Sequence, residues 1–379
     1  MMGEMRQRLL PAVLCRGKVG VGTVNGPTPS RPRLGGRDAR PTRYLRGGQR
    51  QARVPLAWAA VLLSLLIGGI AWGADAPMTY IAYRNPVAPV MDGVIAGDPG
   101  WANIPGATGY HQLGDGYTNA KQTAAYVTWD AEALYVGIVA EEPDIAKVHG
   151  TMPEGGDCWL DDGVEIFIQA PGREPCQFIV TNSGARASGA GNPGLSGWTA
   201  KTSRTADSYS VEIRIGFVLF GATPKPGDEW HANYCRNIFT MDSGGDRFTS
   251  WAPLQARFLE PEGFPVLRFE AKALDETGCR QAEAALNGGY RDSLMQGLAG
   301  LAKEADDYLP VLTKAAQSPA NRALAGELKT RWVQALELQK AAAQAPLPQV
   351  RKVLRTAEEL RKQSYELKYR MLIEELFEG

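Results

Sequence analysis

The chain has 379 residues, with 41 basic and 41 acidic side chains, so its formal net charge is zero. Hydrophobic residues make up 44% and charged residues 22%, which excludes a disordered polyelectrolyte and a membrane bundle. The balance also argues against a basic nucleic-acid binder, although the charge is unevenly spread.

Residues 1–53 hold twelve of the basic side chains and two acids, Glu4 and Asp38, in a Gly- and Pro-rich setting. Too little apolar surface is present to offset ordering entropy, so a disordered basic leader is expected, with a start codon placed too early as one origin for it. Residues 54–72 then run nineteen positions without a charge, after Arg50 and Arg53. Ala71-Trp72-Gly73 follows the small-x-small rule of signal peptidase, so residues 54–73 read as a signal peptide. The length equally permits an uncleaved membrane anchor. Either reading places the rest outside the cytoplasm, periplasmic or extracellular, or anchored in the inner membrane and facing outward. Residues 54–379 carry 29 basic and 39 acidic side chains. The exported part is therefore acidic, which disfavours nucleic acid and anionic lipid as partners.

Residues 78–274 have the period of β-strands. Gln122–Asp130 and Leu134–Glu141 flank a short turn and predict a hairpin. Val164, Ile166 and Ile168 alternate with Glu165, Phe167 and Gln169, and Gln177–Thr181 returns across Pro171-Gly172. Tyr209, Val211, Ile213 and Ile215 form the clearest half-buried strand, and Trp230–Phe239 and Val266–Phe269 add two more. Short strands without helical crossovers predict an all-β antiparallel sandwich, jelly-roll or immunoglobulin-like. Large aromatics fill such interiors, so Trp101, Trp129 and Trp230 are expected in the core. Cys158, Cys176, Cys235 and Cys279 permit three disulfide pairings, and their spacing does not suit zinc.

Val90-Met91-Asp92-Gly93 with Asp98-x-x-Trp101, the WDAEALYVGIVAEEPD hairpin, the CWLDDGVEIFI strand and the closing FLEPEGFPVLRF occur in one order. In combination they resemble family 9 carbohydrate-binding modules over residues 78–270. The resemblance implies a β-sandwich that binds sugars, often at a chain end, and is commonly attached to enzymes of polysaccharide breakdown. It further implies Trp159 as one aromatic platform and Glu165 as the acceptor of sugar hydroxyls. Phe258 stands at the position of the second family tryptophan. Ile179 replaces a family arginine, and Cys235 a family glutamine, with Arg236 and Asn237 adjacent. Sugars need aromatic surfaces for their C–H faces and planar polar groups for their hydroxyls. Trp159, Glu165, Phe258, Arg236, Asn237 and nearby Trp251 are therefore the candidate ligand-binding residues. Asp161 and Asp162 are a weaker candidate for structural calcium.

No metalloprotease helix, nucleophile elbow, Walker loop or dinucleotide fingerprint occurs, and the three histidines fall in none. A non-catalytic module is expected. Two rivals are a structural or surface-assembly protein reusing the sandwich, and a haem-binding domain using His149 with Met152 or His231 with Met241.

Beyond Leu274 the period becomes helical. Residues 282–317, 319–344 and 348–378 predict three helices, the first interrupted near Gly288-Gly289 and Pro310, as a bundle or coiled coil. This region could space domains, drive oligomerisation or dock a partner enzyme.

Overall fold

The structure is a computed structural model that describes residues 77–117, 121–241, 247–342 and 345–378. The leader and the 54–73 segment lie outside the described residues. Among those described, no helix is long and apolar enough to cross a membrane.

Twelve strands occupy the first part: β1 (Thr79–Tyr83), β2 (His111–Gln112), β3 (Thr123–Trp129), β4 (Ala133–Glu141), β5 (Gly163–Gln169), β6 (Cys176–Thr181), β7 (Arg186–Ser188), β8 (Trp198–Arg204), β9 (Ser208–Gly216), β10 (Glu229–Asn237), β11 (Phe248–Ser250) and β12 (Val266–Glu270). Their hydrogen-bonded order is β7-β6-β5-β10-β12-β1-β3-β4-β9-β8, with β11 beside β10 and β2 beside β11. The β3–β4 hairpin forms as its pattern predicts. The Asp130 carboxylate accepts from the Glu132 and Ala133 amides at 2.7 and 2.8 Å and fixes the turn.

The expectation of a purely antiparallel jelly-roll or immunoglobulin-like sandwich is corrected here. β1 runs parallel to β12 over five residue pairs and touches β3, again parallel, through Tyr83 and Thr128. The first and last strands of the sheet thus lie side by side. Parallel neighbours need no tight turn between them, so a signal based on hairpins is blind to this pair. β1 thereby links the β12 side of the sheet to the β3 side. Val164, Ile166 and Ile168 of β5 and Phe178 and Val180 of β6 share one core with Val136, Ile138, Val211, Ile213 and Ile215 of β4 and β9. Trp129 and Trp230 join that core, while Trp101 is buried in a neighbouring cluster.

The Asp-Gly…Asp-x-x-Trp segment acts as a pin. Glu212, on the outward side of β9, accepts from the Asp92 and Gly93 amides at 3.0 and 2.6 Å and from Trp101 Nε1 at 2.6 Å. Asp98 caps the short 99–101 turn through the Gly100 amide and also accepts from Val90 N, both at 2.8 Å. Gly93 has φ +92°, and a Cβ there would sit 2.4 Å from the Thr202 carbonyl carbon. Only glycine lets the pin close on β8.

Four helices follow instead of three: α1 (Glu276–Leu286), α2 (Gly288–Ala315), α3 (Arg322–Ala342) and α4 (Leu347–Glu378). Asp275 caps α1, accepting from Gly278 N at 2.7 Å. The chain breaks at Asn287, next to the predicted glycines, whereas α2 continues through Pro310. α3 begins three residues later than its Ser-Pro signal, after a turn over 318–321. The three long helices pack on one another through two apolar clusters, one around Leu298, Val350 and Ala357, the other around Leu328, Trp332 and Leu360. The helices are fixed to the sandwich by Asn287, which accepts from Thr108 N and donates to Gly106 O, both at 2.8 Å.

Candidate ligand groove

β5, β6 and β10 are adjacent, and their outward side carries the candidate site. Register sets its floor: Cys235, Glu165 and Ile179 stand in one row across the three strands, and Asn233, Phe167 and Gln177 in the next. Side chains diagonal to one another on a face come within reach, so Gln177 meets Glu165 from the neighbouring row. Glu165 Oε2 accepts from Gln177 Nε2 at 2.6 Å, and Oε1 from Asn237 Nδ2 at 2.7 Å. Asn237 Nδ2 also lies 3.3 Å from the Trp159 carbonyl. Asn237 Oδ1 is buried and has no partner among the described residues.

Glu165 is 5% exposed. Burial pushes its carboxyl above the usual glutamate range, and the two amide donors act in the opposite direction. Above this floor Trp159 is 44% exposed, a large aromatic surface left in contact with solvent. It sits in a single 3₁₀ turn, Cys158–Leu160, ahead of β5 and not within a strand. Phe258 comes from the loop before β12, packs with Phe167 and Cys235, and meets Phe248 edge-on at 6.1 Å. Trp159, Glu165, Gln177, Asn237, Phe248 and Phe258 line a common open groove of about 360 Å³.

Four of the six candidate ligand residues therefore converge: Trp159, Glu165, Phe258 and Asn237. The other two do not. Arg236 alternates with Cys235 and Asn237, so it points to the interior side of β10. It is fully buried, paired with Glu142 at 3.0 Å, and donates to the Lys121 and Gln122 carbonyls at 3.2 and 3.3 Å. Trp251 is also fully buried, against Tyr80 and Tyr234 in the main core at 6.0 and 5.8 Å. Its proximity to Phe258 in sequence does not carry it across the sheet.

The calcium candidates Asp161 and Asp162 are engaged by backbone amides. Asp161 accepts from Met152 N at 2.6 Å, and Asp162 from His149 N and Phe239 N at 2.8 and 2.7 Å. Both carboxylates hold loop backbone, and no group of three or more His, Cys, Asp or Glu side chains converges among the described residues. For haem, His231 lies near the start of β10 and Met241 beyond its far end. Cys158, Cys176, Cys235 and Cys279 are free thiols.

Sequence reasoning missed Gln177 and Phe248. The Pro-Gly turn at 171–172 sets the register that brings Gln177 to Glu165, so the signal was present. Phe248 lies on a three-residue strand, too short to show a period.

The fold is thus a β-sandwich with an aromatic-lined groove over an amide–carboxylate floor, an arrangement with the chemistry to hold a polar ligand. Residues 91–256 match the family model described as carbohydrate family 9 binding domain-like. Two similar solved structures are a carbohydrate binding module of family 9 from Caldicellulosiruptor kristjanssonii in complex with cellotriose and the same kind of module in complex with glucose. The first is 20% identical, covers 51% of this chain and 95% of its own, and has a TM-score of 0.38. The second is 20% identical, covers 52% and 98%, and has a TM-score of 0.40. No curated protein matches the chain.

Proposed function

We propose that the groove binds a neutral sugar at the end of an oligo- or polysaccharide, and that the protein is a non-catalytic module serving polysaccharide breakdown outside the cytoplasm. The family match supports the ligand class. The observation that carries the site is the exposed Trp159 ring beside a buried, doubly hydrogen-bonded Glu165. The indole and Phe258 take the C–H faces of the sugar, while Glu165 and Asn237 Oδ1 accept from its hydroxyls. A groove whose buried acceptors must be matched rejects ligands that lack the donors. The uncharged segment 54–72 supports export.

Ile179 and Cys235 favour a second reading, a structural or surface-assembly protein. Both lie in Glu165's row, where the related modules have polar side chains, and both are buried and apolar. A glycan array of neutral mono- and oligosaccharides, probed with the full chain, separates the two. The sugar reading expects a signal that Trp159→Ala removes. Silence across the array would overturn it in favour of the structural one.

A further inference from the structure

The outer face of β3 and β4 does not meet α1, α2 and α4 flush. Between them lies a cleft of about 640 Å³, larger than the sugar groove and sharing no residue with it. Tyr126 and Val139 from the sheet, Ala284 from α1 and Leu347 from α4 give it apolar walls. Its charged lining is three arginines, Arg280, Arg291 and Arg351, against two carboxylates, Glu141 and Glu283.

Arg351 is the unusual member. It is 3% exposed, and its Nη2 donates to Glu141 Oε1. The same carboxylate also serves Arg355, whose Nη1 lies 3.7 Å from Oε2. Two guanidiniums thus share one acid. Arg351 Nε is buried without a partner among the described residues. A guanidinium N–H out of water and without an acceptor is costly, and a planar oxyanion satisfies it with matched geometry. Burial, with Arg355 beside it, lowers the Arg351 guanidinium to about 10, in keeping with a charge short of compensation.

We propose that this cleft is a second ligand site, which takes a small molecule carrying one carboxylate on a compact apolar body. The carboxylate sits on the edge of Arg351 that Glu141 leaves free. The body lies against Tyr126, Val139 and Leu347. A single negative charge suits this lining, whereas a polyanion would meet Glu141 and Glu283. Residues 54–379 are acidic overall, so long-range attraction does not by itself draw anions to this face.

The probe is benzoate, with benzyl alcohol as the uncharged control and inorganic phosphate as the control without a body. Each is titrated into the full chain by calorimetry and thermal shift. Benzoate is expected to bind, and the two controls at least tenfold more weakly. Arg351→Gln is expected to weaken benzoate at least tenfold. Because that variant also loses the Glu141 pair, Ala284→Glu provides an independent arm. It adds a like charge from an exposed position and is expected to weaken benzoate similarly. Trp159→Ala is expected to leave benzoate binding unchanged, which keeps this site distinct from the sugar groove. Absence of benzoate binding, phosphate or benzyl alcohol binding as tightly, or benzoate binding insensitive to both Arg351→Gln and Ala284→Glu would overturn the proposal.

Discussion

Glu165 is an acid taken out of water and held by two amide donors, Gln177 and Asn237. Its carboxyl is raised, mainly by burial. The folded state therefore holds the proton more tightly than the unfolded chain. Its contribution to stability is fully present below the ordinary glutamate range near ~4.3, and is lost as pH rises through the folded value. Glu165→Gln removes this loss. The variant is expected to gain stability relative to the parent between pH 4 and pH 7 in urea denaturation, while losing sugar affinity. A stability difference that shrinks over this range would place the charge on the other side of the balance. The residue scale was only partly legible in the sequence. Glu165 and Trp159 stood out because the resemblance marked them and alternation put Glu165 opposite Val164 and Ile166. Arg236 was misplaced because adjacency to Cys235 in sequence means the opposite face of a strand, and the Glu142 that holds it lies 94 positions away. No local pattern reports such a partner.

At the scale of elements, the motif that opens the resemblance belongs to architecture. Asp92, Gly93, Asp98 and Trp101 lock an irregular segment onto Glu212 of β9 and the backbone of β8. Gly93→Ala meets both a positive φ and the Thr202 backbone, and is expected to cost about 2 kcal/mol or more, read as a fall in Tm with the groove chemistry intact. The strands of this region were legible where they alternate and turn tightly, as in β3–β4 and β9. β2, β7 and β11 were not, since two or three residues carry no period. The parallel β1–β12 pair was invisible for a different reason: its partners are nearly two hundred residues apart and no turn joins them.

For the whole molecule, the zero net charge of the sequence separates into a basic leader and an acidic remainder, and the described part joins a sandwich to four helices. The joint rests on a few buried contacts. Asn287 satisfies one amide and one carbonyl of the 106–108 segment, and Tyr290 packs on Tyr117 at 5.1 Å. Asn287→Ala leaves Thr108 N–H and Gly106 C=O unpaired at that contact, a loss of about 1–3 kcal/mol. Hydrogen exchange is expected to rise first at residues 106–110 and along α1, with the core strands unaffected. Uniformly faster exchange throughout would show that the two parts unfold as one. The helical period of the C-terminal hundred residues was plain in the sequence. The cleft between helices and sheet was not, because it is made by surfaces that meet only in the folded chain.

The central claim is that Trp159 and Glu165 form a sugar-binding groove, and one calorimetric comparison tests it most directly. The full chain and its Trp159→Ala variant are titrated with the neutral oligosaccharide that gives the strongest array signal. Covering an apolar side chain is worth about 1.5–3 kcal/mol, so the variant is expected to bind at least tenfold more weakly. Its Tm should stay within a degree or two of the parent, since the ring is 44% exposed and outside the core. Equal affinity in the two proteins would contradict the account.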